Sequence, residues 1–171
     1  MENEAVRLRR ATMYDYDFCK ILWDDISYEM LYGNNKAFGL PEIEYDNKDE
    51  DLVLEFDEPQ LTKEFFEKSL TVWRHKIYII EFAFDKIVIP IGYFHLAKTG
   101  KGEPNRLQSW TMLPSYFDKK EEAFRLLLNR KELVNKKITV NIFKSDCEFN
   151  WLVEKFGFRE DETVLSTLSL N

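Results

Sequence analysis

Two adjoining apolar runs constrain this chain more than any other feature. Ile77-Tyr78-Ile79-Ile80-Glu81-Phe82-Ala83-Phe84 and Ile87-Val88-Ile89-Pro90-Ile91-Gly92-Tyr93-Phe94-His95-Leu96 are separated only by Asp85-Lys86. β-Branched and aromatic side chains favour the pleated strand, and a two-residue polar break can reverse it. The pattern therefore predicts an antiparallel hairpin. The alternation of Val6 to Thr12 predicts a first strand, and Arg106 to Leu113 another, reached through the Gly/Lys-rich turn 99–105. Lys136 to Phe143 and Thr163 to Leu170 complete the predicted strands.

Helical spacing occupies the intervals. Thr12 or Asp15 can cap a helix running to about Ser27, with Phe18, Ile21, Leu22, Trp23 and Ile26 as its apolar side. Leu61 to Arg74 reads as a second helix, with Leu61, Phe65, Leu70 and Trp73 as burial candidates. Lys119 to Asn135 reads as a third, burying Ala123, Phe124, Leu127, Leu128 and Leu133 or Val134. Asp146 to Phe156 is a fourth, ended by Gly157.

Between Leu31 and Pro59 the chain turns irregular. Residues 42–58 hold Glu42, Glu44, Asp46, Asp49, Glu50, Asp51, Glu55, Asp57 and Glu58 against Lys48 alone. Such a block reads as a solvated loop or as a docking surface for a basic protein partner. It lacks the oxygen spacing of a calcium loop, so no metal is expected there.

A length of 171 residues, 44% hydrophobic, suits one domain. Mean hydropathy is −0.43, no run approaches about 18 apolar residues, and MENEAVRLRR lacks the apolar stretch of a secretion signal. The expectation is a cytoplasmic protein without membrane contact. Lys and Arg number 24 against 31 Asp and Glu, a net charge of −7, which argues against sequence-independent nucleic-acid binding. Arg7, Arg9 and Arg10 are the residues any such contact would use. Cys19 and Cys147, with His75 and His95, form no recognisable disulfide or zinc pattern. Phe, Tyr, Met, Ile, Asn and Lys together far outnumber Gly, Ala, Arg and Pro, a balance expected of an AT-rich genome, bacterial or phage.

The element order resembles the GNAT N-acyltransferase superfamily along essentially the whole chain. Trp151-Leu152-Val153-Glu154-Lys155-Phe156-Gly157-Phe158 is similar to that family's closing "LYEKLGF" helix end, and Leu113-Pro114-Ser115-Tyr116 to its "V-x-P-x-Y" strand exit. The resemblance implies a single α+β domain, with a mixed sheet of six to seven strands flanked by about four helices. It also implies transfer from acetyl-CoA or another acyl-CoA to an amine. In the family a loop patterned [RQ]-x-x-G-x-[GA] follows the fourth strand, and its N–H groups cradle pyrophosphate at a helix start.

Here that loop falls on Phe117-Asp118-Lys119-Lys120-Glu121-Glu122. Bulk and carboxylates stand where glycine and an anion belong. Val153 holds the position of the family's proton-donating tyrosine, Asp146 that of its frequent Asn, and Phe149 that of a small residue. The expectation is a non-catalytic binding or assembly protein, a pseudoenzyme, without cofactor. The alternative is a divergent acetyl-CoA-dependent N-acyltransferase acting on a primary amine of a protein or small molecule. It would hold CoA through Trp110, Met112, Leu113, Lys119 and Lys120, with Glu81 as general base. Ser109, Ser115 and the cysteines lack the local signatures of a nucleophile, and His95, within an apolar strand, reads as a core histidine.

Overall fold

The apolar hairpin becomes the middle of the molecule. In the computed structural model, which describes residues 4–28, 61–98, 100–142, 147–160 and 167–170, β2 (His75–Phe84) and β3 (Ile87–Ala97) pair antiparallel around Asp85. Asp85 takes φ 52°, the left-handed conformation that a short polar side chain tolerates. β1 (Glu4–Arg10) pairs with β2, and β4 (Asn105–Met112) with β3, both antiparallel. β5 (Ile138–Asn141) joins β4 in parallel, followed outward by β7 (Thr167–Leu170) and the two-residue β6 (Arg159–Glu160). The sheet is mixed and seven-stranded, in the order β1-β2-β3-β4-β5-β7-β6.

Four helices among the described residues cover it: α1 (Tyr16–Tyr28), α2 (Lys63–Thr71), α3 (Lys120–Leu128) and α4 (Cys147–Phe156). Alternation along the strands sorts the core into two layers. Tyr78, Ile80, Phe94, Leu96 and Leu107 pack with Phe124, Leu127 and Leu152 of α3 and α4. Ile77, Ile79 and Tyr93 pack with Cys19, Leu22 and Phe66 of α1 and α2. The sequence order, the single domain and the mixed sheet with four helices match the expectation.

Two bulges shape the central strands. Ile80 pairs with Gly92 but Glu81 with Pro90, so Ile91 is the extra residue. Pro90, which cannot donate to a ladder, sits at that irregularity. His95 pairs with Ser109 but Leu96 with Leu107, so Gln108 is extra on β4. Beside the first bulge the strands approach so closely that a Cβ on Gly92 would lie 2.4 Å from the Thr111 carbonyl oxygen.

Several sequence expectations are corrected. Ile21 is 61% exposed, because α1 turns Cys19 and Leu22 inward instead. Phe66, not Phe65, fills the core from α2, whose start Thr62 caps by accepting the Phe65 N–H, and Trp73 lies outside the helix and half exposed. The third helix stops at Leu128. Irregular turns bonded from Leu133 and Val134 to the Arg130 carbonyl replace its tail, burying Leu133 and exposing Val134. Of the last predicted strand, Thr163 to Leu170, the described part is Thr167–Leu170, and the two-residue β6 precedes it; residues 163–166 lie outside the described residues. The irregular acidic segment 31–60 lies outside the described residues.

Candidate functional site

β4 and β5 are joined by three pairs only: Asn105 with Ile138, Arg106 with Thr139 and Leu107 with Val140. Pairing stops where the Gln108 bulge bends β4, so Gln108 to Met112 continue without a described partner on that side. The two strands part beside the entry to α3, and this junction is the candidate site.

An aromatic stack occupies the α3/α4 side of it. Trp110 of β4 lies against Trp151 of α4 with centroids 5.6 Å apart and planes within 9°. Phe124 of α3 meets both rings edge-on, at 5.9 and 5.5 Å, and Phe156 meets Trp151 at 4.8 Å. Offset and edge-to-face rings of this kind add about 0.5–1.5 kcal/mol per pair beyond area burial. Phe149 and Val153 pack on the same core. Val153 therefore has an apolar duty where a proton donor would need access. Asp146 lies outside the described residues.

At the α3 entry the chain forms a 3₁₀ helix over Pro114–Lys119 that runs directly into α3. The Lys120 N–H donates to the Phe117 carbonyl, and the Tyr116 N–H donates to the Leu113 carbonyl. These amides are spent within the turn, whereas a helix start used for anions leaves its first N–H groups free. The side chains are also engaged. Lys119 Nζ is 3.5 Å from Glu4 and 3.3 Å from Asp118, while Lys120 Nζ lies 4.0 Å from Glu148 and 4.6 Å from the Trp151 ring centre. Glu121 pairs with Arg125 at 2.8 Å. Glu122 accepts the Val6 N–H at 3.4 Å, and Arg130 donates to the Leu8 carbonyl. Those two bonds fall on β1, at the end of the strand order, where unpaired backbone invites aggregation.

The remaining candidate residues are dispersed. Met112 is buried in the core, and the Leu113 N–H donates to the Ile91 carbonyl at 2.7 Å. Glu81 accepts from Arg9 Nε at 2.6 Å, and the same guanidinium binds Asp15 through two bonds of 2.8 and 2.7 Å. A general base needs a free lone pair aimed at a substrate proton, and this carboxylate is committed to an ion pair. Asp15 also accepts the Thr12 N–H at the start of the first helical turn. Burial opposes its charge, but Arg9 and Thr12 outweigh that and hold its pKa down.

A polar cluster that single-residue reading could not assemble lies under α1 and α2. His75 Nδ1 and His95 Nε2 are 2.9 Å apart, placed by strand pairing of His75 with Ala97 and Ile77 with His95. Burial and then the neighbouring His75 push the pKa of His95 down to about 4. His95, Tyr93 and Cys19 line a cavity of about 10 Å³. Burial raises the Cys19 thiol to about 12, which makes it a packing group and not a thiolate nucleophile. Tyr93 and Ser109 hydroxyls lack protein partners among the described residues.

No protein-family model matches the sequence, and no curated protein matches it. Solved structures do. A domain from Methanocaldococcus jannaschii is similar with a TM-score of 0.61 at 12% identity, over 99% of each chain. Apo FdhC, a nucleotide-linked sugar GNAT, gives 0.61 at 12% identity over 96% of this chain and 84% of its own. A GNAT-family acetyltransferase from Staphylococcus aureus Mu50 gives 0.58 at 14% identity over 98% and 99%. The chain has the GNAT fold.

Proposed function

We propose that this chain is a GNAT-fold protein that binds or assembles without acyl transfer. The observation that carries this reading is the 3₁₀ helix at the α3 entry, which spends the amides that would hold pyrophosphate. The Trp110–Trp151 stack adds to it by filling the neighbouring space with side chains. Fold alone assigns no reaction; the groups at the site do. On this reading the acidic run 42–58 meets a basic protein partner, the protein works in the cytoplasm, and its composition fits a phage gene.

The second reading, a divergent acetyl-CoA-dependent N-acyltransferase, is favoured by the parting of β4 from β5 and by the acetyltransferases among the structural neighbours. Calorimetric titration with acetyl-CoA separates the two. No heat at millimolar ligand is expected. Micromolar binding, abolished by Lys119→Glu with Lys120→Glu, would favour the enzyme instead.

A further inference from the structure

A second charged feature lies at the other end of β1 from the α3 entry. Glu4, beside Lys119, and Arg10 are separated by the whole seven-residue strand, about 20 Å. The alternation that sends Val6 and Leu8 toward α3 and α4 sends Arg10 the same way. Tyr78 carries Lys76 to that face of β2, and Leu96 carries Lys98 to it at the end of β3, where the Lys98 N–H donates to the Arg74 carbonyl.

In register, Arg10 faces Tyr78 and Lys76 faces Leu96. The three cations thus step across adjacent strands spaced about 4.8 Å apart. Lys136, in the turn after α3, lies next to Lys137, whose carbonyl accepts the Asn105 N–H at the start of β4 beside the end of β3; consistent with that placement, burial and then the charges of Lys136, Lys98 and Arg10 lower the pKa of Lys76, against Glu132. Glu132 is already engaged, accepting the Tyr78 hydroxyl at 2.7 Å and pairing with Arg130 at 3.3 Å. Among the described residues no carboxylate pairs with Arg10, Lys76, Lys98 or Lys136.

Gathering four cations around the one carboxylate of Glu132, which Tyr78 and Arg130 already share, leaves an excess of positive charge among the described residues, and a bound anion relieves it. The anion has to be compact. Arg7 and Arg9 fall on the opposite face, with Arg9 tied to Asp15 and Glu81, so neither extends the cluster into a stripe for a nucleic-acid backbone to follow. The net charge of −7 opposes such a polymer as well. Arg10, Lys76 and Lys98 each sit one strand over and two residues along from the last, about 8 Å apart at the backbone, a spacing their long side chains can close around two or three linked phosphates, for which lysines serve as point charges.

We propose that Arg10, Lys76, Lys98 and Lys136 form a binding site for a compact polyphosphate group, such as that of a nucleoside di- or triphosphate. The site is separate from the α3 entry and does not depend on the reading given above. The test is titration of the full chain with inorganic tripolyphosphate at low salt, with a 20-nucleotide single strand in parallel. Saturable tripolyphosphate binding is expected. It should weaken at least tenfold in Lys76→Gln/Lys98→Gln and stay within twofold in Lys119→Gln/Lys120→Gln. Should the first pair fail to fold, the exposed Lys136→Gln is expected to weaken binding about threefold by itself. Absence of binding at millimolar probe, indifference to all three substitutions, or tight binding of the oligonucleotide alone would overturn the proposal.

Discussion

The two faces of the sheet are held by different physics. Toward α3 and α4 the core is apolar and ring-rich, with Phe124 touching Phe94, Trp110, Trp151, Phe156 and Phe158. Toward α1 and α2 it is smaller and carries Cys19, His95 and Tyr93, flanked by the Arg9–Asp15–Glu81 network. The first face is unforgiving of lost volume, while the second holds the buried histidine on which mild acid acts. The difference separates shape-dependent from charge-dependent stability within one small domain.

The sharpest way to break that contrast is Phe124→Ala. Phe124 is fully buried, and its removal is expected to cost about 3–5 kcal/mol, read as a lower midpoint in urea. A loss under about 1 kcal/mol would mean that the rings pack loosely. Acid comes next. His95, held near 4 against an ordinary value of about 6.5, favours the neutral fold. The unfolded chain takes up the proton first, so stability is full above pH 6.5 and falls as pH drops toward 4, by about 2–4 kcal/mol in all.

Below that window the Glu132 carboxylate, held at about 2 by the Tyr78 hydroxyl bond, and Asp15 add a further loss as they protonate. Denaturant midpoints between pH 7 and 3 should show both stages, and His95→Gln should erase the first. A profile that is flat from pH 7 to 4 would contradict it.

Adding a methyl at Gly92 tests the seam between the faces, because the group would press on the Thr111 backbone; about 1–3 kcal/mol should be lost. Asp15→Asn weakens the bidentate bond to Arg9, which is 39% exposed and partly screened, for about 1–2 kcal/mol. Ile21→Ser, on the outside of α1, is expected to stay within about 0.5 kcal/mol, so a larger effect there would relocate that face of the helix.

Local patterns in the sequence carried most of the architecture. The Asp85-Lys86 break fell at the observed reversal, and Gly157 fell where α4 ends, with φ 72°. Which aromatic of a neighbouring pair points inward was less legible. Phe65 and Phe66 are chemically identical, and only the angle at which α2 meets β2 decides between them. The end of α3 was hidden because Leu133 continues the helical interval while reaching the core from a turn.

At the candidate site the loop composition was readable. Its consequence, a 3₁₀ turn, was not, since i+3 and i+4 bonding share nearly the same residue preferences. The Trp110–Trp151 contact and the His75–His95 contact join residues 41 and 20 positions apart, with no mark in either local segment.

The three-pair bond between β4 and β5 also bears on assembly order. The β2–β3 ribbon closes across two residues and belongs among the fast, local events, on a scale of about 1–10 μs. β5 reaches β4 only after the 3₁₀ helix and α3 have crossed over, so its contacts are long-range and short in register. The distal strands therefore dock late onto a preformed antiparallel platform, and amide protons of Ile138 to Val140 should exchange with solvent sooner than those of Ile77 to Ile80.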